Sequence, residues 1–326
     1  MVGGAYAYAY VTWETGSPKA GTFGGGASNF YGYSYDGRFV ATTRSGIGSL
    51  VDLSATPPTG NNLGPSFTAA WSPNSELLLY YGDWASSDDP AKLKLGTFNG
   101  GTLTSTLLVP SSACNGIAVA PWSPDGKNGL FSCGRDLRGI SNVATATVST
   151  DFSLLPSGFL SNAFTDTYDV RWSPNSQWVA LRSDRDVNNQ FDLYLTRWST
   201  PGALYKPHAN SIAPGVTTWA FSQNSQSVAF VGTIAPQNNA GLYLTKLPTS
   251  GAPPTATLVS TPTTSTVQTD LNWLPGSRVI AYRATVSGAA QLFALPVAAD
   301  GTPGSVVSIS GVSGSGVSSY QLAPTR

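Results

Sequence analysis

Two aspartates occupy the same place relative to a recurring tryptophan. Asp169 and Asp270 each lie three residues before a Trp that opens a repeated turn, and Arg171 stands close to the first of them. Carboxylates beside a guanidinium can bind a cation or a polar ligand, and a carboxylate pair can act as general acid and base. The plainer interpretation is structural: both carboxylates bond neighbouring backbone amides and hold adjacent elements together, and it is preferred here.

A polar stretch further along carries four oxygen-bearing side chains at alternating positions: Asp184, Asp186, Asn188 and Asp192. Oxygen ligands spaced in this way can wrap a Ca²⁺ ion. An EF-hand would also need Gly at its sixth position and an acid at its twelfth, where this chain has Asn189 and Leu195. The departure favours a solvated loop between two strands. Calcium is the one cofactor that the sequence suggests.

Histidine chemistry would depend on His208, the only histidine in the chain. Its neighbours, Tyr205 to Asn210, predict an outer strand or loop with a surface imidazole. The chain contains no Gly-x-Ser-x-Gly nucleophile elbow, which argues against a serine peptidase. We therefore expect a protein that is not an enzyme.

Aromatic residues suggest a second kind of site. Most tryptophans belong to the repeated turn and should be core, but Trp13, Trp84 and Trp198 lie outside it. If exposed, they would offer stacking platforms for sugars or for a partner protein.

The composition excludes some functions. Only 10% of residues are charged and the formal net charge is zero, so no basic surface is available for nucleic acid. No apolar run reaches the roughly 18 residues that a membrane span needs. The start of the chain alternates and lacks a basic region, so it is not a signal peptide. A signal removed from the mature protein, and an extracytoplasmic location, are the expectation.

The two cysteines, Cys114 and Cys133, flank one copy of the repeated turn. If the segments around 115–122 and 128–133 pair as antiparallel strands, the two residues sit near opposite positions. A cross-strand disulfide is then sterically possible. The alternative is two small buried thiols.

The chain is organised by six copies of one turn and a degenerate seventh. The copies begin at an aromatic residue, or Leu in the last case: Tyr33-Ser-Tyr-Asp-Gly, Trp71-Ser-Pro-Asn-Ser, Trp122-Ser-Pro-Asp-Gly, Trp172-Ser-Pro-Asn-Ser, Phe221-Ser-Gln-Asn-Ser, Trp273-Leu-Pro-Gly-Ser and Leu322-Ala-Pro-Thr. Most copies lie about 50 residues apart, which is the period of a propeller blade.

Each copy reads as strand, turn, strand. Pro174 presets φ at the second position of a turn, and Asn175 suits the third. An apolar run such as Val179-Ala180-Leu181 follows, then a third strand such as Leu193–Thr196 and a weaker fourth. Four strands in each repeat predict an all-β chain.

These residues resemble the TolB-type (WD40-like, PD40) β-propeller repeat, whose signature is an aromatic followed by Ser-Pro-Asp-Gly and an apolar strand. The resemblance covers nearly the whole chain from Tyr33, although Tyr35, Gln223 and Ala323 depart from it. It implies a single propeller over residues 1–326. It also implies a non-catalytic binding or assembly role in the bacterial envelope or exterior, with a protein partner at the loops or channel mouth. The alternatives are a carbohydrate-binding propeller and a lyase or glycosidase that uses channel-mouth carboxylates.

The ends of the chain predict how the ring closes. Residues 5–13 are placed like the third strand of a blade, and residues 317–322 like a first strand. Joined in one composite blade, they would give seven blades and remove exposed edges. The alternatives are six blades, or a composite blade that accepts a strand from a partner or from another copy of the chain.

Overall fold

The computed structural model describes most of the chain in separate stretches. They are residues 8–14, 17–23, 27–34, 37–44, 47–54, 59–65, 68–74, 76–82, 92–99, 102–110, 114, 117–119, 121–134, 136–148, 150–156, 159, 169–248, 254–260, 266–309 and 317–320. Within them the regular structure is β-strand, apart from short 3-10 turns such as Val143–Thr145. The all-β prediction is confirmed for this part of the chain. None of the helical segments in these stretches is long and apolar enough to cross a membrane.

The chain divides into two compact units, Met1–Ser157 and Gly158–Arg326. In its described residues the first unit holds a hairpin and three four-stranded sheets. The hairpin is β1 (Tyr8–Glu14) and β2 (Ser17–Phe23). Sheet 1 is β3 (Ala27–Tyr33), β4 (Phe39–Arg44), β5 (Ile47–Asp52) and β6 (Thr59–Pro65). Sheet 2 is β7 (Thr68–Trp71), β8 (Leu77–Gly82), β9 (Lys92–Asn99) and β10 (Thr102–Val109). Sheet 3 is β11 (Ile117–Val119), β12 (Gly129–Cys133), β13 (Asp136–Ile140) and β14 (Phe152–Ser153).

The described residues of the second unit form an eight-stranded sheet and a four-stranded sheet. The larger one divides at a single parallel bridge into two groups of four strands, which are named sheets 4 and 5. Sheet 4 is β15 (Val170–Trp172), β16 (Trp178–Val187), β17 (Gln190–Arg197) and β18 (Leu204–Tyr205). Sheet 5 is β19 (Ser211–Phe221), β20 (Ser227–Ile234), β21 (Gly241–Lys246) and β22 (Ala256–Leu258). Sheet 6 is β23 (Thr266–Trp273), β24 (Val279–Val286), β25 (Ala289–Pro296) and β26 (Val307–Ser308). Consecutive strands within each sheet pair antiparallel, so the predicted four strands per repeat are confirmed.

The repeated turn is held by its serine hydroxyl. Ser173 Oγ donates to Asn175 Oδ1 at 2.7 Å and accepts the Trp178 amide at 2.9 Å, while the Ser176 amide closes the turn on the Ser173 carbonyl. Ser173 is fully buried, so these bonds replace the water that its hydroxyl loses. The same hydroxyl-to-Asx bond recurs at Ser72, Ser123 and Ser222.

The fifth residue of the turn has a left-handed backbone. Its φ is +69° at Gly37 and +70° at Gly126, and +61°, +58° and +58° at Ser176, Ser225 and Ser277. Asn175, which suits either a bridge or a left-handed conformation at the third position, is not among the residues with positive φ. A serine there strains the backbone by about 1 kcal/mol relative to glycine.

Two of the strained serines contact the preceding sheet. Ser225 Oγ, in sheet 5, accepts the Asn175 amide of sheet 4 at 2.9 Å, and Ser277 Oγ, in sheet 6, accepts the Asn224 amide at 2.9 Å. Each hydroxyl therefore joins two successive turns. This bond offsets the strain that the left-handed serine introduces.

Within each unit the hydrophobic core lies between successive sheets. In the second unit one cluster joins sheets 4 and 5 through Trp178, Leu195 and Phe230, and another joins sheets 5 and 6. Every residue of β20 is buried, as expected for a strand covered on both faces. The tryptophan that opens a repeat can also donate its indole N–H to a backbone carbonyl of the preceding sheet. Trp273 does so to the Ala220 carbonyl at 3.2 Å.

Sheets 4 and 5 are linked by one parallel bridge. Phe191 of β17 lies opposite Gly215 of β19, whose φ is +76°. A Cβ added to Gly215 would lie 2.1 Å from the Phe191 carbonyl oxygen. Glycine is therefore required at this close approach.

Cys114 and Cys133 form a disulfide, as the sequence allowed. Their register differs from the expectation in one respect. Cys133 lies directly opposite Ile117, and Cys114 reaches it from the segment ahead of β11. The bond thus ties that segment to the second strand of sheet 3.

Candidate functional site

The first predicted site residue, Asp169, forms an ion pair across two strands of sheet 4. It immediately precedes β15, and Arg182 lies on β16 at the facing position, since Val170 is opposite Leu181. Arg182 Nε lies 3.0 Å from Asp169 Oδ2. The guanidinium also stacks on the Phe191 ring at 4.4 Å. Asp169 is therefore held by an arginine that aromatic packing orients.

Asp270 repeats this arrangement in sheet 6. It lies on β23, and its Oδ2 forms an ion pair with Arg283 Nε of β24, where Leu271 is opposite Tyr282. The spacing from Asp to Arg is the same in the two sheets, 13 residues in each case. The structure thus pairs each predicted aspartate with an arginine of its own sheet, and neither aspartate is held by backbone amides alone.

Arg171 bonds the next sheet. Its Nη2 lies 3.1 Å from Asp169 Oδ1, its Nη1 donates to the Trp219 carbonyl at 2.9 Å, and its guanidinium covers the Trp219 ring at 4.7 Å. More than half of the side chain, 54%, remains exposed. Arg171 and Asp169 are brought together, and the Arg171 side chain stays accessible to solvent.

Arg182 and Arg283 reach beyond their own sheets in matching ways. Arg182 Nη1 donates to the carbonyls of Val216 and Thr217, which lie five and four residues before the motif aromatic of the next repeat. Arg283 Nη1 donates to the carbonyls of Val317 and Ser318, at the same two positions before Leu322. Segment 317–320 therefore lies against sheet 6 as the middle of β19 lies against sheet 4.

Tyr320 strengthens this correspondence. Its hydroxyl lies 2.9 Å from the Ala281 carbonyl and accepts from Asn272 Nδ2 at 2.9 Å, and the Val317 amide donates to Ala290. Tyr320 stands two residues before Leu322, as Trp219 stands two before Phe221. Residues 317–320 form no strand ladder within the described part, although the sequence predicts a first strand there.

Arg182 and Arg283 are absent from the set of predicted site residues. The signal that could have found them is the repeat itself, because each arginine follows the motif position 174 or 275 by eight residues. A search for chemistry in the turns alone does not reach the middle of the second strand.

The predicted calcium ligands are arranged around a lysine. Lys206 Nζ lies 2.5 Å from Asp192 Oδ2 and 3.3 Å from Asp186 Oδ2. Asp184 instead accepts the Asn189 amide at 3.1 Å. Among the described residues no three His, Cys, Asp or Glu side chains are grouped so that they could hold a metal. Calcium binding by these four positions stays a prediction.

The same cluster has distinct electrostatics. Tyr194, which is buried, donates its hydroxyl to Asp186 Oδ2 at 2.9 Å. Burial raises the pKa of Tyr194, and the bond to Asp186 raises it further. Burial also pushes the pKa of Asp186 upward, but the hydrogen bonds from Tyr194 and Lys206 outweigh it and leave that pKa below its ordinary value. Asp186 is therefore a carboxylate at neutral pH.

The prediction of a surface histidine is wrong. The His208 side chain is 1% exposed, its Nε2 accepts the Leu193 amide at 3.1 Å, and its Nδ1 lies 2.6 Å from the Ala209 carbonyl. Its ring packs against Phe230. The segment is irregular, as expected, but it folds back so that imidazole replaces a strand partner for β17. Burial lowers the pKa of His208.

The aromatic candidates are placed differently from the expectation. Trp198 packs against Trp172 with ring centroids 4.8 Å apart, so it is not an open platform. Trp84 and the Trp13 side chain lie outside the described residues. An exposed aromatic pair occurs instead on β3, where Phe30 and Tyr33 are 42% and 38% exposed and meet edge to face.

No model of a known protein family matches the chain, and no curated protein matches it. The chain is similar to several solved structures. One is described as TolB from Agrobacterium tumefaciens, at 14% identity over 68% of this chain and 77% of that one, with a TM-score of 0.39. Another is the β-propeller domain of the Trilobed protease from Pyrococcus furiosus, described as having an open velcro topology. It shows 12% identity over 82% and 81% of the two chains, with a TM-score of 0.43.

A third similar structure comes from a study of two prolyl endopeptidases. It is 13% identical over 91% of this chain, which spans 46% of that one, with a TM-score of 0.49. Solved structures similar to this chain thus include ones described as TolB and as a β-propeller.

Proposed function

We propose that the chain is a non-catalytic scaffold that binds a protein partner or assembles with one in the bacterial envelope or exterior. The proposal rests on the observation that the charged groups at the first strands are already bonded within the protein. Asp169, Asp270 and their arginines are bonded across strands and to the following segment. Groups so engaged hold sheets together, and they leave the solvent-accessible side chain of Arg171 for recognition.

We propose further that the six sheets form one propeller over residues 1–326 with seven blades, closed by the terminal strands. Segment 317–320 supports this, since Arg283 and Tyr320 hold it as the start of a further repeat is held. The hairpin β1–β2 supports it too, because in the described residues these strands pair only with each other. Six blades are the alternative architecture.

The disulfide supports an extracytoplasmic location, because such bonds persist in oxidising compartments. A strand offered by a partner, or by a second copy of the chain, would fit the composite blade by pairing with it.

Photo-crosslinking tests the proposed role. A crosslinking residue would replace Phe30 on β3 or the 50% exposed Val187 at the β16–β17 loop, with the 49% exposed Val148 as control. In the envelope and secreted fractions of the source bacterium we expect one discrete protein adduct from Phe30 or Val187 and none from Val148. Equal, diffuse labelling from all three positions would contradict a specific partner.

A carbohydrate-binding role is the second candidate, and the exposed Phe30–Tyr33 pair favours it. A glycan array with the unmodified chain separates it from protein binding, since a lectin would bind a defined class of sugars and Phe30→Ala would abolish that binding.

The third candidate is a lyase or glycosidase, which needs Asp169 or Asp270 for acid–base chemistry. Asp169→Asn and Asp270→Asn in folded protein would then abolish turnover.

A further inference from the structure

The outer edge of sheet 4 is closed by a very short strand. β18 contains two residues, Leu204 and Tyr205, which pair with Thr196 and Leu195 of β17. Lys206, the residue directly after β18, forms an ion pair with Asp192, which also lies on β17. An ion pair therefore continues the contact where the strand ladder stops.

This pair is buried differently from a second lysine pair, Lys246 and Asp300, which lies at the surface. Asp192 is 1% exposed and Lys206 is 23% exposed, with Nζ 2.5 Å from Oδ2. Lys246 and Asp300 lie 3.6 Å apart and are 59% and 63% exposed. The first pair is therefore largely withdrawn from water, whereas the second pair lies open to it.

Asp192 has a further sign of incomplete stabilisation. Its second oxygen, Oδ1, is buried without a hydrogen-bond partner among the described residues, and His208 Nδ1 lies 3.9 Å from it. A buried carboxylate that uses one oxygen alone is poorly satisfied as an ion. As an amide, its carbonyl oxygen would carry no charge.

A second carboxylate lies beside the amine. Asp186 Oδ2 is 3.3 Å from Lys206 Nζ, and Tyr194 donates to the same oxygen. Asp186 is 48% exposed, so it can exchange protons with solvent. It is placed as a general base for the lysine and as an acid for a departing oxygen.

We propose that Lys206 and Asp192 condense to an intramolecular isopeptide bond. Lys206 Nζ attacks Asp192 Cγ, forming the C–N bond, and one Asp192 carboxylate oxygen leaves as water. Both protons of that water come from the ammonium, one of them carried by Asp186, which ends as the carboxylate it was. No electrons are transferred, so no oxidant is required. The fixed geometry supplies the encounter that free amine and acid lack.

The bond would close the chain between residues 192 and 206 and fix β18 on β17. A two-residue strand alone contributes little to the edge of a sheet. A covalent tie there would keep that edge in place under conditions that break ion pairs.

Intact-mass spectrometry of the full chain, unfolded and with its disulfide reduced, tests the proposal. We expect the wild-type mass to fall short of the sequence mass by one water after prolonged incubation at neutral pH. Tandem spectra of digests should contain a branched peptide that joins Asp192 to Lys206. Lys246 and Asp300 serve as the internal control and should remain unlinked.

Two variants separate condensation from a simple ion pair. Lys206→Arg keeps the charge and cannot form this amide, so its mass should equal the sequence mass. Asp186→Asn keeps a partner for Tyr194 and removes the base, so water loss should slow at least tenfold in folded protein. Wild-type protein that is folded, by circular dichroism, and keeps the full sequence mass would overturn the proposal, as would water loss in Lys206→Arg.

Discussion

The imidazole of His208 is bonded on both nitrogens to backbone groups. Nε2 accepts from Leu193 and must be unprotonated, while Nδ1 faces the Ala209 carbonyl as a donor. A proton added to Nε2 would point at the Leu193 amide N–H, so two donors would face each other and the hydrogen bond would be lost. Burial thus favours the neutral ring, although the Ala209 bond and Asp192 act in the opposite direction.

We expect acid to destabilise the protein through His208. The folded-state pKa is lowered from 6.5, so the unfolded chain takes up the proton first. The contribution of His208 to the free energy of unfolding is therefore complete above pH 6.5 and is lost as the pH falls from 6.5 through the folded pKa. Urea unfolding between pH 8 and pH 5 measures it.

His208→Gln is the matched variant, because a glutamine carbonyl can still accept from Leu193 and does not titrate. Its free energy of unfolding should fall less between these two pH values than that of the wild type. Since the chain has one histidine, its imidazole NMR signals report the folded pKa without assignment. A folded pKa at or above 6.5, or equal slopes, would contradict the argument.

Gly215 allows the backbones of β17 and β19 to touch. Gly215→Ala should cost more than about 3 kcal/mol of the free energy of unfolding, because its Cβ would overlap the Phe191 carbonyl. Gly202→Ala is the control: its φ is +82° and nothing lies within 4 Å of an added Cβ. That variant should lose only about 1 kcal/mol from left-handed strain. Equal losses in thermal unfolding would show that contact with Phe191 does not decide the cost.

The turns form a second system of contacts, at the level of whole sheets. Ser225 accepts an amide from sheet 4, and Ser277 accepts one from sheet 5. Side-chain packing places the sheets face to face, but directional bonds between turns fix how far one sheet slides along the next.

Ser225→Ala should lower the free energy of unfolding by about 1 to 2 kcal/mol, because the Asn175 amide loses its buried partner. Ser287→Ala is the control, since Ser287 has φ +51° at an exposed hairpin turn. Denaturant unfolding of both variants makes the comparison. Similar losses would mean that the contact between sheets does not account for the effect.

Arg283 should control the order of segment 317–320. Arg283→Gln removes the bonds to the Val317 and Ser318 carbonyls and leaves Asp270 without its cation. We expect amide exchange over residues 317–320 to become at least tenfold faster, while β20 is unaffected. Arg182→Gln, the same change in sheet 4, should instead affect Val216 and Thr217. Unchanged exchange at 317–320 would refute the role given to Arg283.

At the scale of the whole chain, much of the architecture could be predicted and the bonding of the site could not. The motif serines and prolines predict the turns because their chemistry is local, and about 50 residues between copies suffice for four strands. The offset from Trp is enough to single out Asp169 and Asp270. It does not single out their partners Arg182 and Arg283, because only the register between strands shows that they face each other. The burial of His208 is not predictable, because a polar, irregular sequence does not reveal that the chain folds back over β17.

The disulfide gives the first unit a constraint of longer range. Cys114→Ser with Cys133→Ser should lower the free energy of unfolding by about 2 to 4 kcal/mol, since the bond closes a loop across 19 positions. Reduction of the wild type should give the same loss of thermal stability, and the double variant should not respond to reductant. A negligible loss would mean that strand pairing alone holds the segment ahead of β11.

The repeats differ in whether glycine or serine occupies the fifth turn position, and this decides whether they can accept a hydrogen bond from the preceding turn. A copy with serine can receive the amide of the copy before it, whereas Gly126, 3.6 Å from Pro73 at an added Cβ, offers no acceptor there. A repeat with serine at this position is thus matched to the repeat that precedes it. Changing the order of the repeats, or grafting one into a related protein, would leave some turn amides without a hydrogen-bond acceptor even if every sheet folded correctly.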